Sequence, residues 1–424
     1  MLLLATLSVL SPKPGAPGSS FSTDLSFSTD LYHPSYLCYN PSGLNSSLPK
    51  ALNNVCTLVP ALNEQDQAFS TPFSLLREAV RQRAFPAACL AVAHRSRFLV
   101  LKSFGEFDFD PNSRLATPAT VFDLASVTKV VATTTMAMIL YDRGLLDLEA
   151  TVAGIVPEFL ADSCGEVDPR RREVTFHMLL AHTSGLPAYE KLFLQAHSRD
   201  DLLRAAFTTS LSADPGTRAE YSDIGFIALG VALERLCNES MDTFCQREIF
   251  GPLSMINTGF NPPESGREKI PPTVDDRSFR KRVIQGEVHD ENAFVLGGVA
   301  GHAGLFSTAG DMTRFAHAML NGGRPILRPE TIARFTRREV APNRTSRALG
   351  WDTPSTPSQS GKYFGPGSFG HLGYTGTSLW IDPSAELSIT FLTNRTWPDG
   401  ANQAIKQVRP KVHDAIVEAL SKEA

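Results

Sequence analysis

Two pairs of apolar, strand-like segments lie near opposite ends of the chain, and this separation constrains the fold more than any other feature. Residues 88–93 and 98–104 flank a polar turn at 94–96, as expected of a β-hairpin. Residues 378–381 and 387–393 flank a second turn, which contains a proline. Because a lone hairpin is marginally stable in water, we expect both to join one antiparallel sheet, with the intervening chain inserted.

Helical periodicity accounts for much of the remaining chain. Apolar residues recur at helical spacing in the segments 73–83, 124–143, 174–181, 223–236 and 403–420. The predicted fold class is therefore α+β: an antiparallel β-sheet flanked by terminal helices, with an inserted, mostly helical region at roughly 130–300. A cleft is expected where the sheet region meets the helical region.

The first part of the chain has a different character. Residues 1–68 are rich in Ser, Pro, Asn and Leu with little periodicity, which predicts a disordered leader before a domain that spans 69–424. The apolar residues 1–10 have no preceding positive charge, since the first lysine is Lys13. A degenerate export signal would make the protein periplasmic or exported, a plain tail would make it cytoplasmic, and both interpretations stay open.

Composition and charge exclude several classes of partner. The net charge is -4 with no basic stripe, which argues against a nucleic-acid partner. No apolar run reaches the roughly 18–20 residues of a membrane-spanning helix, so no transmembrane segment is predicted. The six cysteines are scattered without a C-x-x-C pair, so neither a zinc site nor a disulfide scaffold is indicated.

The first candidate site is the tetrapeptide Ser126-Val127-Thr128-Lys129, set in a strongly apolar helical stretch. Residues three apart lie on one helix face, so the Lys129 amine can reach the Ser126 hydroxyl. A serine becomes nucleophilic when a base takes its proton, and a lysine can serve if burial depresses its pKa. Alone, this tetrapeptide is a weak signal, because a capping serine and a solvated lysine give the same pattern.

Two further motifs follow along the chain. Tyr221-Ser222-Asp223 precedes a helix, and a tyrosine hydroxyl near Ser126 can relay a proton; a core tyrosine beside a capping Asp223 is the structural alternative. The glycine-rich stretch 369–377, FGHLGYTGT, comes just before a strand. Its small residues can let a substrate approach an edge strand whose N–H groups form part of an oxyanion hole, or they can simply form a turn.

Taken together, the three motifs resemble the serine β-lactamases, DD-peptidases and related esterases, in which S-x-x-K, Y-S-[ND] and [KH]-x-G occur in this order. Residues 175–187, TFHMLLAHTSGLP, also resemble a phrase of that family. The resemblance covers roughly residues 73–420. It is closest to the branch with the class C β-lactamases, and within it to low-activity penicillin-binding-protein-like hydrolases.

The resemblance implies a role for each matching position. Ser126 would form the acyl-enzyme, Lys129 would accept its proton, and Tyr221 would share the proton transfer. The backbone N–H groups of Ser126 and Tyr374 would bind the oxyanion. The residues that would contact substrate are Asp223, His371 and Gly373. The mechanism needs no cofactor and no metal.

Three departures from the family pattern bear on the substrate. Asp223 stands where asparagine is usual, His371 stands where lysine is usual, and Leu372 replaces a hydroxyl that often touches a substrate carboxylate. A neutral imidazole attracts that carboxylate less than an ammonium does. These changes argue against an efficient β-lactamase and favour peptidase or esterase activity.

The predicted function is a serine hydrolase of the DD-carboxypeptidase or D-amino-acid peptidase kind. Its partner would be a small-molecule or peptide substrate, including peptides derived from peptidoglycan. A carboxylesterase for small acyl esters is the alternative. A non-catalytic sensor of penicillin or peptidoglycan is a third hypothesis, which the complete set of Ser126, Lys129 and Tyr221 disfavours.

A cluster of possible metal ligands occurs between the second and third motifs. Its residues are His289, Asp290, Glu291 and His302, which have none of the spacings that are typical of zinc-binding helices. We therefore expect them to order a loop near the cleft rather than to bind a metal.

Overall fold

The computed structural model describes residues 57–162, 164–343 and 345–423. The strands are β1 (Val59–Pro60), β2 (Ala87–His94), β3 (Arg97–Gly105), β4 (Phe122–Asp123), β5 (Gly259–Phe260), β6 (Pro272–Asp276), β7 (Arg282–Gln285), β8 (Leu305–Ser307), β9 (Phe369–Leu372), β10 (Ser378–Asp382) and β11 (Leu387–Thr393). The helices are α1 (Gln65–Ala68), α2 (Ser70–Arg81), α3 (Thr135–Asp142), α4 (Phe176–Leu180), α5 (Arg199–Thr208), α6 (Asp223–Cys237), α7 (Met241–Cys245), α8 (Glu291–Val295), α9 (Ala309–Leu320), α10 (Pro329–Thr336) and α11 (Ile405–Glu423).

The main sheet joins strands from both ends of the described chain in the order β1-β3-β2-β11-β10-β9. Its central contact is between β2 and β11, which pair antiparallel from Leu387 opposite His94 to Thr393 opposite Ala88. The short strand β1 is parallel to β3, and the other neighbouring pairs are antiparallel. The two predicted hairpins therefore lie side by side in one sheet, as predicted.

Strand β2 shows why both faces of this sheet are covered. Alternate side chains of a strand point to opposite faces. Cys89 and Ala91 enter the larger apolar core, whereas Leu90 and Val92 enter the second core. The second core contains residues of α2 and α11, and the larger one contains the inserted helices. This arrangement confirms the predicted α+β class, with a sheet flanked by terminal helices and a mostly helical region inserted.

The start of the ordered domain differs from the prediction. Residues 57–68, which the sequence analysis assigned to the leader, form β1 and α1. The N–H of Val59 donates a hydrogen bond to the carbonyl oxygen of Ser96, and the N–H of Ala61 donates to that of Phe98, which joins this segment to the sheet. The leader prediction for residues 1–56 lies outside the described residues. None of the described helices is long and apolar enough to cross a membrane.

Candidate active site

The segment that carries the first motif is not the continuous α-helix predicted for 124–143. It begins as a 3-10 turn at Ala125–Val127, continues as a π-helix at Lys129–Thr134 and becomes α-helical only in α3. Ala125 has a φ of 46°, in the left-handed region that costs a non-glycine residue free energy. Local propensity cannot reveal such a turn, because it is imposed by contacts with distant residues.

Asp123 is one of those contacts, and sequence reasoning missed it. Its buried carboxylate accepts hydrogen bonds from the N–H of Ala125 at 2.8 Å and from the N–H of His289 at 2.6 Å. Burial raises the pKa of Asp123 to about 6, against the opposing effect of these two backbone donors. The carboxylate thus ties the strained turn before Ser126 to the loop that contains His289.

Lys129 is completely buried and its ammonium is surrounded by acceptors. Nζ lies 3.0 Å from Oγ of Ser126, 2.9 Å from the carbonyl oxygen of His302 and 2.6 Å from Oδ1 of Asp223. An ammonium has three hydrogens to donate and nothing to accept, so this environment suits the protonated form. The serine–lysine contact predicted from the i, i+3 spacing is present.

The balance of effects on the pKa of Lys129 is the reverse of the expectation from sequence. Burial lowers the pKa, as predicted, but the negative charge of Asp223 raises it, with a further contribution from Tyr221. The net result is a pKa above the ordinary value for lysine. In this structure Lys129 is therefore an ammonium, which must lose a proton before it can accept one from Ser126.

We expect Asp223→Asn to move the rising limb of the acylation pH profile to lower pH. Without the carboxylate, burial lowers the pKa of Lys129, so the free amine exists at lower pH. A neighbouring opposite charge changes a pKa by about 1–3 units, and the limb should move by about that much. The measurement is the acylation rate with a fluorescent penicillin across the neutral and alkaline range. Asp214→Asn, at an exposed carboxylate, is the control, and an unchanged profile in Asp223→Asn would refute the assigned charge effect.

The second motif is held in place by the segment that contains His182. Nδ1 of His182 accepts the N–H of Ser222 at 3.0 Å, and its ring lies 4.7 Å from that of Tyr221. The cap of α6 is Ser222, whose Oγ accepts the N–H of Gly225, and not Asp223 as the structural alternative supposed. Asp223 is thus free of the capping role and pairs with Lys129.

The Tyr221 side chain lies beside Lys129 in a buried environment. Nζ of Lys129 is 4.9 Å from the centre of the Tyr221 ring. Burial raises the pKa of Tyr221, whereas the nearby Lys129 and Ser126 lower it, and the net direction is upward. The phenol is therefore neutral. Its buried hydroxyl makes no well-aligned hydrogen bond to any described residue, although Lys129 and Ser126 lie close enough to lower the pKa of Tyr221.

The third motif forms an edge strand and a turn that pack directly on the first motif. Oγ1 of Thr375 donates to the carbonyl oxygen of Asp123 at 2.8 Å, and Oγ1 of Thr377 donates to that of Leu124 at 2.9 Å. At Gly373 a Cβ atom would collide with the Leu124 carbonyl and with Thr377. Only glycine therefore permits this close approach, and it brings the turn against the Ser126 segment.

Tyr374 lies at the tip of this turn with its side chain exposed. Its backbone N–H makes no hydrogen bond to any residue in the described ranges. An N–H that is free to donate, in a turn that packs on the Ser126 segment, is the kind of group that an oxyanion hole needs, and the role of Tyr374 stays a prediction.

His371 is buried in β9, with its ring 5.8 Å from that of Tyr221. Burial lowers its pKa far below the usual value, and the positive charges of Lys129 and Arg347 lower it further. Nδ1 lies 2.8 Å from the carbonyl oxygen of Leu372, which can only accept, so Nδ1 carries the proton. His371 is therefore neutral and supplies no charge for a substrate carboxylate.

Arg347 brings to the site a cation that the sequence motifs did not reveal. Its guanidinium lies 5.1 Å from the centre of the Tyr221 ring and lowers the pKa of both His182 and His371. Asp352 is its ion-pair partner, at a long 3.9 Å, and the side chain is 22% exposed. Arg347 belongs to an irregular segment outside the three motifs, so only the fold brings it to Tyr221.

Two of the possible metal ligands, Asp290 and His302, contact each other and hold a loop in place. Oδ1 of Asp290 accepts the N–H of Ala293 at the start of α8 and lies 2.8 Å from Nε2 of His302. Across the described ranges, no group of three or more His, Cys, Asp or Glu is arranged to hold a metal ion. Asp290 and His302 thus order the loop whose His302 carbonyl contacts Lys129.

Comparisons with known proteins show which family the chain resembles. Residues 73–411 match the family described as Beta-lactamase. The chain is 32% identical over 346 residues to a Bacillus subtilis (strain 168) protein named N-acetylmuramyl-L-alanine amidase, covering 73% of this chain and 77% of the other. It is 31% identical over 356 residues to a Salmonella typhimurium protein named putative D-alanyl-D-alanine carboxypeptidase, covering 76% and 81%.

A solved structure shows the same fold. It is that of "EstCE1, a hydrolase with promiscuous acyltransferase activity", which is 20% identical, with a TM-score of 0.67, covering 83% of this chain and 99% of that one. At this identity the likeness concerns the fold alone. On the family match and the two relatives, the chain belongs to the Beta-lactamase family and is a serine hydrolase.

Proposed function

We propose that this protein is a serine peptidase that removes a C-terminal D-amino acid from a cell-wall peptide, through an acyl-enzyme on Ser126. In this mechanism Lys129, once deprotonated, takes the proton of Ser126, and Tyr221 helps to return a proton to the leaving amine. The backbone N–H groups of Tyr374 and Ser126 donate hydrogen bonds to the carbonyl oxygen as it becomes negatively charged. Asp223, His371 and Gly373 shape the place where the substrate binds.

The single observation that carries the choice of substrate is the Arg347 guanidinium beside Tyr221. A carboxypeptidase must recognise the free carboxylate of its substrate, and His371 is neutral. Arginine binds a carboxylate with two parallel hydrogen bonds, and Arg347 has a weak ion-pair partner at 3.9 Å. The names of the two relatives, N-acetylmuramyl-L-alanine amidase and putative D-alanyl-D-alanine carboxypeptidase, support an amide of the cell wall as substrate.

A carboxylesterase is the second candidate, and the neutral His371 favours it. A small acyl ester has no carboxylate, so its hydrolysis would need neither a lysine in the third motif nor Arg347. The two candidates thus differ in their dependence on Arg347.

We expect Arg347→Ala to raise KM about 10–100-fold for a peptide that ends in D-alanyl-D-alanine, since a charged hydrogen-bonded pair contributes about 1.5–3 kcal/mol. Hydrolysis of p-nitrophenyl acetate should be unchanged. The peptide with an amidated C-terminus should be a poor substrate for the wild type and insensitive to the substitution. Arg337→Ala, at an exposed arginine after α10, is the control. Equal KM values for the two peptides, or rapid turnover of esters alone, would favour the esterase.

A further inference from the structure

Two buried arginines contact the turn that presents the Tyr374 N–H. Nε of Arg395 donates to the carbonyl oxygen of Tyr374 at 2.8 Å, and the guanidinium lies 4.6 Å from the centre of the Tyr374 ring. Its Nη1 donates to the carbonyl oxygens of Gly400 and Asn402, each at 2.9 Å. Arg395 is 5% exposed.

Arg409, on α11, approaches the same turn from the second core. Its Nη2 donates to the carbonyl oxygen of Gly376 at 2.9 Å, and its Nη1 donates to Oε1 of Gln359 at 2.8 Å. Arg409 is 3% exposed, and its Nε has no hydrogen-bond partner among the described residues.

Neither guanidinium forms an ion pair with a carboxylate among the residues that the structure describes. Burial lowers the pKa of Arg409, and the other main effect on it is the positive charge of Arg395, which lowers it too. For Arg395, burial also lowers the pKa, and the opposing effect comes from Tyr374. Buried charges are normally paired, because an unpaired one is costly to desolvate. Two such charges on one turn therefore need an explanation beyond holding the turn, since neutral donors could hold it.

We propose that Arg395 and Arg409 stabilise the negative charge that develops on the substrate carbonyl oxygen when Ser126 is acylated. This inference rests on the proposed function. The arginines are positioning residues, since they act through the turn of residues 373–376 and exchange no proton. Their charges are held in a water-poor interior, where they act more strongly than in water. The negative charge that they stabilise develops only as Ser126 attacks the carbonyl carbon. Their effect therefore falls on the acylation rate and not on initial binding.

The most specific test keeps Arg409 and cancels its charge with a neighbouring carboxylate. Gln359→Glu places a carboxylate where the amide oxygen now accepts from Nη1, so the contact with Arg409 is retained and its charge is cancelled. The change also removes the hydrogen bond from Nε2 of Gln359 to the carbonyl oxygen of Lys406, and Arg409→Lys controls for such a structural effect. We expect about a tenfold fall in the acylation rate with a fluorescent penicillin, the order of magnitude for one charge at moderate range in a protein. Affinity for a boronic acid, which forms an anionic tetrahedral adduct with serine, should fall by a similar factor. The dissociation constant of the initial non-covalent penicillin complex should change less than twofold.

Substitution of Arg409 itself gives the complementary test. Arg409→Gln should show the same tenfold losses, and Arg409→Lys, which keeps the charge, should restore both to within about threefold of the wild type. Arg204→Gln removes a charge from an exposed helix position and should leave all three quantities unchanged.

Wild-type values in Gln359→Glu would overturn the inference, because the charge of Arg409 would then be cancelled without any effect on acylation. Equal losses in Arg409→Lys and Arg409→Gln would overturn it as well, since they would make shape and not charge the cause. Absence of any adduct on the wild type would overturn the proposed function and this inference with it, whereas a normal wild-type adduct leaves the two failures distinguishable.

Discussion

Ser126→Ala is expected to abolish hydrolysis of both peptide and ester substrates while the protein remains folded. The alanine removes only the Oγ that lies 3.0 Å from Nζ of Lys129, and the acyl-enzyme has no other place to form. Loss of a nucleophile that acts as a unit with its base costs about six orders of magnitude in kcat in a well-studied serine protease, so the residual rate should be at background. Rates are measured with a D-alanyl-D-alanine peptide and p-nitrophenyl acetate, and folding by thermal unfolding.

The melting temperature of Ser126→Ala should stay close to that of the wild type, because Lys129 keeps its contacts with Asp223 and the His302 carbonyl. A second control is Ser184→Ala, which changes another buried serine, in the segment of His182, and should not abolish hydrolysis. Turnover near the wild-type rate in Ser126→Ala would remove that residue from the mechanism.

Lys129→Ala has the second large expected effect, a loss of about 10²–10⁴ in the acylation rate, the usual contribution of a positioned general base. The structure adds a second consequence, since this change leaves the Asp223 carboxylate without its partner. Removing one member of a fully buried pair costs about 3–5 kcal/mol. Asp223 is 17% exposed, so the free energy of unfolding should fall by somewhat less, about 2–3 kcal/mol.

A matched double variant separates the two effects of the Lys129 substitution. Lys129→Met with Asp223→Asn keeps the volume and removes both charges, so most of the stability should return. The acylation rate should remain low, because no base is present. If the rate recovers together with the stability, the loss in Lys129→Ala came from the fold and Lys129 is not the base.

The outline of the fold could be predicted because it depends on local patterns. The alternation of side chains in β2 and β11 and the helical spacing of α2, α6 and α11 survive in the structure to within a few residues. Strand β9 was not predicted, since Phe369–Leu372 is short and rich in features of a turn. The 3-10 and π-helical start of the nucleophile segment was also missed, because it depends on the bonds from Asp123 and the turn of the third motif.

The three motifs could be predicted to meet, but the electrostatics between them could not. Sequence spacing gave the contact of Ser126 with Lys129, whereas the pairing of Lys129 with Asp223 depends on how α6 docks against the π-helix. Three arginines that the motifs do not include also lie near the site: Arg347, Arg395 and Arg409. Nothing in their local sequence distinguishes them from surface arginines. Only the fold places them around Tyr221 and Tyr374.

The most direct test of the central claim is intact-mass spectrometry after incubation with a fluorescent penicillin and, separately, with a fluorophosphonate. The wild type should gain one adduct from each reagent, mapped by peptide analysis to the segment that contains Ser126, and Ser126→Ala should gain none. An adduct that persists in Ser126→Ala, or that maps to another segment of the wild type, would contradict the assignment of Ser126 as the acylated residue.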